Sequence, residues 1–395
     1  MKRGIFILLI LSILLTGCWN RRELNELAIT LALGIDKSDD EYLVTAQIVV
    51  PSEASMSGGE GKSPVTLVNG RGETVYEAIR KMTKETPRKI YPGHLRMLVI
   101  SESLAKEGIG DSLDLLSRDW ELRSDFYVVV AKESTAEEIL NIQTPLESIP
   151  ANKMFNTLKI SEENWAATVG VTLDQLIVDL RSEGKEAVLT GILATGKRES
   201  GSSNQNVETI TPSVTIRYDD LAVFKADKLV GWLTEDESRG YNDIINHVKN
   251  TVTSISCPEE GKASMELLSF KTDVKGNVIN GRPEVDVNVK IEANVGALEC
   301  PIDITKLESI DALEKILEKQ VEKTINNSID SVQEKYETDI FGFGNAIHRS
   351  NPKEWKKMKK EWDQYFTELT VNVKINARIV KTGTVDNSVV EKRKD

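Results

Sequence analysis

The chain contains hydrophobic patterns of two periods, one typical of strands and one typical of helices. The clearest strand pattern covers residues 284–295, where apolar and polar residues alternate at every position. Such alternation buries one face of a strand and leaves the other in water, as in an antiparallel sheet. We predict partner strands at residues 265–274, joined through 275–277, and at residues 369–379.

A long helical pattern lies between these strands. Apolar residues from Leu307 to Tyr336 recur in steps of one, three or four positions, which predicts one helix. Unbroken over residues 310–336, it would be about 40 Å long at 1.5 Å per residue. It could cover the sheet or form a coiled coil with another chain, although strict heptads do not persist. A second helix is predicted from Pro352, with an apolar face of Trp355, Met358, Trp362, Tyr365 and Phe366.

The first half of the chain alternates predicted strands with predicted helices. The strands cover residues 28–35, 42–50, 95–100, 126–130 and 187–194. Helices are predicted over residues 73–83, near Leu113, and after capping boxes at Ser134 with Glu137 and Thr172 with Gln175. Further on, residues 221–233 predict a hairpin, and Thr234 with Glu237 predicts another capped helix.

Two stretches of low hydrophobicity suggest how the chain is organised. Residues 51–64 predict a mobile loop, and residues 197–206, rich in Gly, Ser and Asn, predict a linker between domains. We therefore expect an N-terminal mixed α/β domain at 18–196, which could divide into two subdomains, a C-terminal α+β domain at 207–383 and a flexible tail at 384–395. The predicted fold is multi-domain α+β, a mixed α/β arrangement with mainly antiparallel sheets and a long C-terminal helix packed on a sheet.

The N-terminus has the pattern of a bacterial lipoprotein signal. Lys2 and Arg3 precede a mainly apolar run over residues 5–15, and Gly17 stands directly before Cys18. The run is shorter than the roughly 20 helical residues that span a bilayer. We predict a signal peptide at residues 1–17 and lipidation of Cys18, which would anchor the chain outside the cytoplasm. The alternative is an apolar stretch that precedes a cysteine by chance.

The charge and the cysteine content of the chain limit which partners, disulfides and metal sites can be expected. The formal net charge of −12 makes nucleic acid an unsuitable partner. Apart from Cys18, the cysteines are Cys257 and Cys300, each followed by proline. They could form a disulfide in an oxidising compartment or remain two buried thiols. Two isolated cysteines do not predict a metal site.

The sequence contains no recognisable catalytic motif. The three histidines, His94, His247 and His348, do not stand in a nucleophile signature. HExxH, P-loop and GxGxxG patterns do not occur, and acidic pairs are expected on the surface of so acidic a chain. We predict no catalytic residue, no metal and no cofactor.

Three blocks of sequence resemble the Ger(x)C family of spore germination lipoproteins. The first is CWNRREL at residues 18–24 with LGID at 33–36. The second is GHLR at 93–96 and LVI at 98–100, followed by RD at 118–119 and ELR at 121–123. The third is DIFGFG at 339–344 with Trp355 and Trp362. Each block is weak alone, but their order is specific and extends over nearly all of the mature chain.

The resemblance implies a non-catalytic C subunit of a GerA-type nutrient germinant receptor. Such a subunit would be lipid-anchored on the outer face of the spore inner membrane. Its partners would be two polytopic proteins, a transporter-like B subunit and an A subunit implicated in ion release. Trp19, Arg21 and Arg22 directly follow Cys18 and are candidate contacts with the membrane or these partners. The alternative function is that of a lipid-anchored extracytoplasmic solute-binding protein.

Overall fold

The computed structural model describes residues 23–54 and 62–381. Cys18, Trp19, Arg21 and Arg22, with the predicted signal peptide and C-terminal tail, lie outside the described residues. The described residues form two sheets, one of nine strands and one of four, with helices packed against both. The mixed α/β fold class is therefore confirmed.

The first sheet is mixed, with parallel strands at its centre. Its strands are β1 (Leu27–Ser38), β2 (Glu41–Val49), β3 (Val65–Gly72), β4 (Lys89–Tyr91), β5 (Met97–Ser101), β6 (Tyr127–Ala131), β7 (Val188–Gly196), β8 (Val214–Lys225) and β9 (Lys228–Leu233). The order is β3-β2-β1-β5-β6-β7-β8-β9, and β4 pairs with β1. Strands β1, β5, β6 and β7 pair in parallel, whereas the flanking pairs are antiparallel.

The parallel centre explains the apolar strands in the first half of the chain. All five residues of β5 are buried, as expected for a parallel strand covered on both faces. The helices between these strands make the crossovers that parallel pairing requires. Antiparallel pairs still outnumber parallel pairs, six to five among the described strands, as the predicted mainly antiparallel sheets require. The parallel centre was not predicted, because local alternation does not reveal which strands become neighbours.

The predicted linker does not separate two sheets. Strands β7 and β8 are adjacent and antiparallel, with Gly196 paired to Val214, so residues 197–206 lie in a connection within the first sheet. The predicted 221–233 hairpin is confirmed as β8 and β9, which complete that sheet. The composition of residues 197–206 predicted a linker between domains, but composition carries no information about the pairing of the strands on either side.

The second sheet has the order β10-β11-β12-β13. Its strands are β10 (Thr251–Ser256), β11 (Lys262–Ile279), β12 (Arg282–Leu298) and β13 (Thr370–Lys381). The predicted turn at 275–277 is wrong, because β11 continues to Ile279 and turns at Asn280 and Gly281, whose φ angles are 53° and 81°. Asn-Gly is the usual pair for such a two-residue turn. Strand β13 joins as predicted, but parallel to β12.

The helices connect and cover these sheets. They are α1 (Pro51–Ala54), α2 (Val75–Lys81), α3 (Glu102–Glu107), α4 (Gly110–Arg118), α5 (Ala136–Leu140), α6 (Pro150–Asn164), α7 (Leu173–Leu180), α8 (Gln205–Glu208), α9 (Glu235–Ile244), α10 (Leu307–Lys335), α11 (Phe343–Ser350), α12 (Pro352–Met358) and α13 (Trp362–Thr367). The capping box of α5 uses Thr135 and Glu138, one residue beyond the predicted pair. Helix α6 was not predicted.

The long helix is confirmed as α10, and it packs on the second sheet. Its buried stripe includes Leu313, Leu317, Val321, Ile325 and Val332. The aromatic helix is interrupted by a 3-10 turn at Lys359–Glu361, which divides it into α12 and α13. Its apolar face still enters the core, since Trp355, Met358, Trp362 and Phe366 are buried. One continuous apolar cluster includes residues from both sheets, so the two sheets share a core.

Candidate functional site

The three histidines lie in separate structural surroundings. His94 contacts the ring of Tyr91, His247 bonds to buried Glu162, and His348 stacks on Trp355. Among residues 23–54 and 62–381, no group of three or more His, Cys, Asp or Glu side chains is arranged to hold a metal ion. The structure therefore does not bring the three histidines together in one site.

The two remaining cysteines meet at one end of the second sheet. The structure joins Cys257 and Cys300 in a disulfide, with Cα atoms 6.3 Å apart and a sequence separation of 43. Cys257 follows β10 and Cys300 follows β12, so the bond connects two strands that flank β11. A loop of this size would stabilise the fold by about 4 kcal/mol in the chain-entropy model.

The most extensive buried polar arrangement surrounds Asp339. Its Oδ1 accepts hydrogen bonds from the backbone N–H groups of Phe341, Gly342 and Phe343 at 3.0, 2.8 and 3.2 Å. Its Oδ2 accepts from the Gly344 N–H at 2.7 Å and from the Trp362 indole at 3.0 Å. One side chain therefore fixes the turn that enters α11 and attaches it to α13.

The same turn contacts the segment that leads into β7 of the first sheet. The Glu186 N–H donates to the Asp339 carbonyl at 2.7 Å, and the Asn345 N–H donates to the Gly184 carbonyl at 3.2 Å. A Cβ on Gly344 would lie 2.8 Å from both the Gly184 Cα and the Trp355 ring, so only glycine permits this approach. We call residues 182–186, 339–345 and Trp362 the Asp339 junction; it connects the first sheet to the C-terminal helices.

The junction has the electrostatics of a structural site. Burial raises the pKa of Asp339 to about 6, while the hydrogen bonds from Gly344, Trp362 and Phe343 lower it. Its five donors are all committed to the carboxylate, so a substrate would have to displace them. The DIFGFG segment that contains Asp339 was recognisable in the sequence only by its resemblance to a family, and no role of Asp339 was predicted.

A related arrangement fixes α5 against β1. Asp36, at the end of the LGID segment, accepts from the N–H groups of Ala136 and Glu137 at 2.8 and 3.0 Å. These are the first two residues of α5. A carboxylate there accepts hydrogen bonds from N–H groups that have no partner within the helix, and its negative charge interacts favourably with the helix dipole. Two motif residues, Asp36 and Asp339, thus each bind the backbone N–H groups at the start of a helix.

Asp243 provides a prediction about pH. Burial raises its pKa from 3.8 to about 8, against the attraction of Arg239. Between these values the folded state binds a proton that the unfolded state lacks, so the free energy of unfolding falls as pH rises. Because Asp243→Asn stays neutral, its stability relative to the parent should rise by about 4 kcal/mol from pH 5 to pH 9. Urea unfolding at both pH values checks this, and a difference independent of pH would contradict it.

One open groove among the described residues does not have the lining expected of a ligand site. It lies between α9 and α10, has a volume of about 530 Å³, and is lined by side chains that include Glu237, Lys323 and Asp330. Its lining contains no aromatic or aliphatic residue, whereas small-molecule sites are usually mostly apolar. The groove gives no support to solute binding.

No helix in the described part of the chain has both the length and the apolar content needed to cross a membrane.

Comparisons with known proteins match the chain along nearly its whole length. The family described as "Spore germination protein N-terminal domain" matches residues 20–193, and that described as "Spore germination B3/ GerAC like, C-terminal" matches residues 219–383. Spore germination protein KC of Bacillus subtilis (strain 168) is 34% identical over 98% of both chains. Spore germination protein B3 of the same organism is 26% identical over 94% of this chain and 95% of its own.

A solved structure supports the fold. The crystal structure of the GerBC protein superposes with a TM-score of 0.57 at 21% sequence identity, covering 88% of this chain and 96% of that one. At this identity, the similarity establishes the architecture and carries no conclusion about partners or ligands.

Proposed function

Since this chain belongs to the Ger(x)C family of spore germination proteins, we propose that it is the lipid-anchored, non-catalytic C subunit of a nutrient germinant receptor. The observation that carries the proposal is the match to spore germination protein KC over 98% of both chains. The aligned region therefore includes both sheets of this chain and the connection between them.

The proposed anchor is Cys18, acylated after removal of residues 1–17. Supporting this are the basic start, the short apolar run and Gly17 before the cysteine. Each buried acyl CH2 contributes roughly 0.8 kcal/mol, so several chains would make the anchor durable. Trp19, Arg21 and Arg22 would then be close to the headgroups, a position that suits an indole and guanidinium groups. Such an anchor would hold the protein on the outer face of the spore inner membrane.

A role in assembly also agrees with the polar arrangements described above. The buried carboxylates of Asp36 and Asp339 are used to hold helices, and His247 is engaged by Glu162. We propose that the chain serves two polytopic subunits, A and B, as their companion at the membrane surface, without turning over a substrate.

Affinity purification from spores tests this function. We expect a C-terminally tagged chain, solubilised from spore membranes in mild detergent, to recover two polytopic proteins in constant ratio. The same tag on an unrelated lipoprotein from the same membranes is the control. Recovery of this chain without membrane subunits, from spores that germinate normally through the tagged chain, would refute the proposal.

A further inference from the structure

One short segment has a charge opposite to that of the protein. Residues 80–96 contain six basic residues and a single acid, Glu85, in a chain with a formal net charge of −12. The basic residues are Arg80, Lys81, Lys84, Arg88, Lys89 and Arg96. Such a local excess of positive charge attracts an anionic surface, although the protein as a whole would be repelled by it.

The basic segment, residues 80–96, lies beside the beginning of β1, the first strand of the described chain. Strand β4 pairs in parallel with the beginning of β1, and Lys89 is the partner of Leu27. The Lys89 ammonium bonds to Glu121, which brings the loop containing Trp120 to the same place. The first residues of β1, the basic segment and Trp120 are therefore neighbours.

The exposed groups of this region are cations and aromatic rings. Trp120 is 81% exposed and Tyr76 is 48% exposed, and the Arg80 guanidinium lies 4.9 Å from the Tyr76 ring centre. Arg80, Lys84 and Arg88 are exposed and form no ion pair with the described residues. Indole rings beside cations are typical of the membrane interface.

The nearby acids are largely engaged by other cations. Glu77 pairs with Lys81 at 2.7 Å, and Glu121 is bonded to Lys89. Asp125, farther along the Trp120 loop, pairs with Arg123 at 2.7 Å. Arg80, Lys84 and Arg88 are offset in part by Glu85 in the segment and by Glu73 close to it, while the Asp119 carboxylate beside Trp120 accepts the Glu121 N–H.

We propose that Arg80, Lys84, Arg88 and Trp120, here named the basic patch, contact the anionic phospholipid headgroups of the bilayer. The inference rests on the proposed acylation of Cys18. Five residue steps separate Cys18 from Glu23, so an extended chain places the acyl attachment within about 18 Å of the first described residue. The bilayer surface is then within reach of the edge that displays the patch, and each cation near anionic lipid increases affinity about fivefold.

A fluorophore on the patch measures this contact. Thr83 is exposed and lines the same shallow depression as Arg80 and Lys89. The full chain carrying Thr83→Cys is labelled, then reconstituted into vesicles that contain lipids with a nitroxide on the headgroup. We expect quenching to be at least about threefold stronger with roughly one-third phosphatidylglycerol than with phosphatidylcholine alone.

Charge variants separate the patch from general attraction. Arg80→Gln with Lys84→Gln and Arg88→Gln should abolish the difference between the two vesicle types. The matched control is Lys315→Gln with Lys319→Gln and Lys323→Gln, three exposed lysines on α10, which should leave the difference intact. Trp120→Ser should weaken quenching in both vesicle types.

Equal quenching in both lipid compositions, or equal loss in the two triple variants, would show that the patch does not contact anionic lipid. Mass analysis of the same sample reports acylation separately. If the chain is unacylated, the proposed anchor fails, whereas quenching of that chain by added anionic vesicles would still support the patch.

Discussion

Cys18→Ala should remove the chain from the membrane fraction of spores and abolish germination through its receptor. Without the thiol no diacylglycerol thioether can form at position 18. The signal's apolar run alone is too short to span a bilayer of about 20 helical residues. Immunoblots of spore fractions and the optical-density loss that follows nutrient addition measure both effects.

The matched control for this variant is Asn20→Ala, which alters the same short segment and leaves the thiol in place. We expect that control to fractionate and germinate like the parent. A Cys18→Ala protein that is found free in the soluble fraction and still supports the full nutrient response would contradict the anchoring role.

Asp339→Asn should lower the free energy of unfolding by about 3 kcal/mol, because an amide has only one acceptor oxygen for the five donors of the junction. The NH2 group would also face the Gly344 N–H or the Trp362 indole. Urea unfolding followed by circular dichroism measures the loss. The same variant should reduce the amount of receptor in spores, since the junction joins the first sheet to the C-terminal helices.

Asp311→Asn is the control for Asp339→Asn, because Asp311 is exposed on α10 and has the same side chain. Its stability should lie within about 0.5 kcal/mol of the parent, as is usual for surface substitutions. If the two variants proved equally stable, the carboxylate at the junction would have no structural role.

Elements with strong local signals were predictable from the sequence. The alternation at residues 284–295 and the stripe of α10 each record one buried face, and the structure confirms both. The capping box of Thr234 with Glu237 is also present. These features depend on neighbours within a few residues, which a single sequence records directly.

Pairing between distant strands was not predictable in the same way. Residues 197–206 have the composition of a linker, yet β7 and β8 on either side of them are hydrogen-bonded neighbours. The composition of a connection indicates whether it is exposed to solvent. It does not indicate whether the two strands that the connection joins pair with each other. The turn after β11 is a different case, because Asn280 and Gly281 are themselves a local turn signal, three residues beyond the predicted turn at 275–277.

The Asp339 junction shows why the site could be recognised only in part. DIFGFG was visible as a motif, but four of the five donors to Asp339 come from its turn, and the fifth comes from Trp362, 23 residues later. The Asn345 N–H also bonds to Gly184, so the junction joins α11 to the segment that leads into β7. No local pattern encodes these distances, so the motif could suggest a family without revealing its structural role.

Mass spectrometry of the N-terminal peptide, from protein extracted from spore membranes, tests the central claim most directly. The account predicts a peptide that begins at Cys18 and carries a diacylglycerol thioether, with no peptide from residues 1–17 in the membrane-bound protein. A peptide that begins at Met1 and contains an unmodified Cys18 thiol, in protein from spores that germinate fully through this receptor, would contradict it.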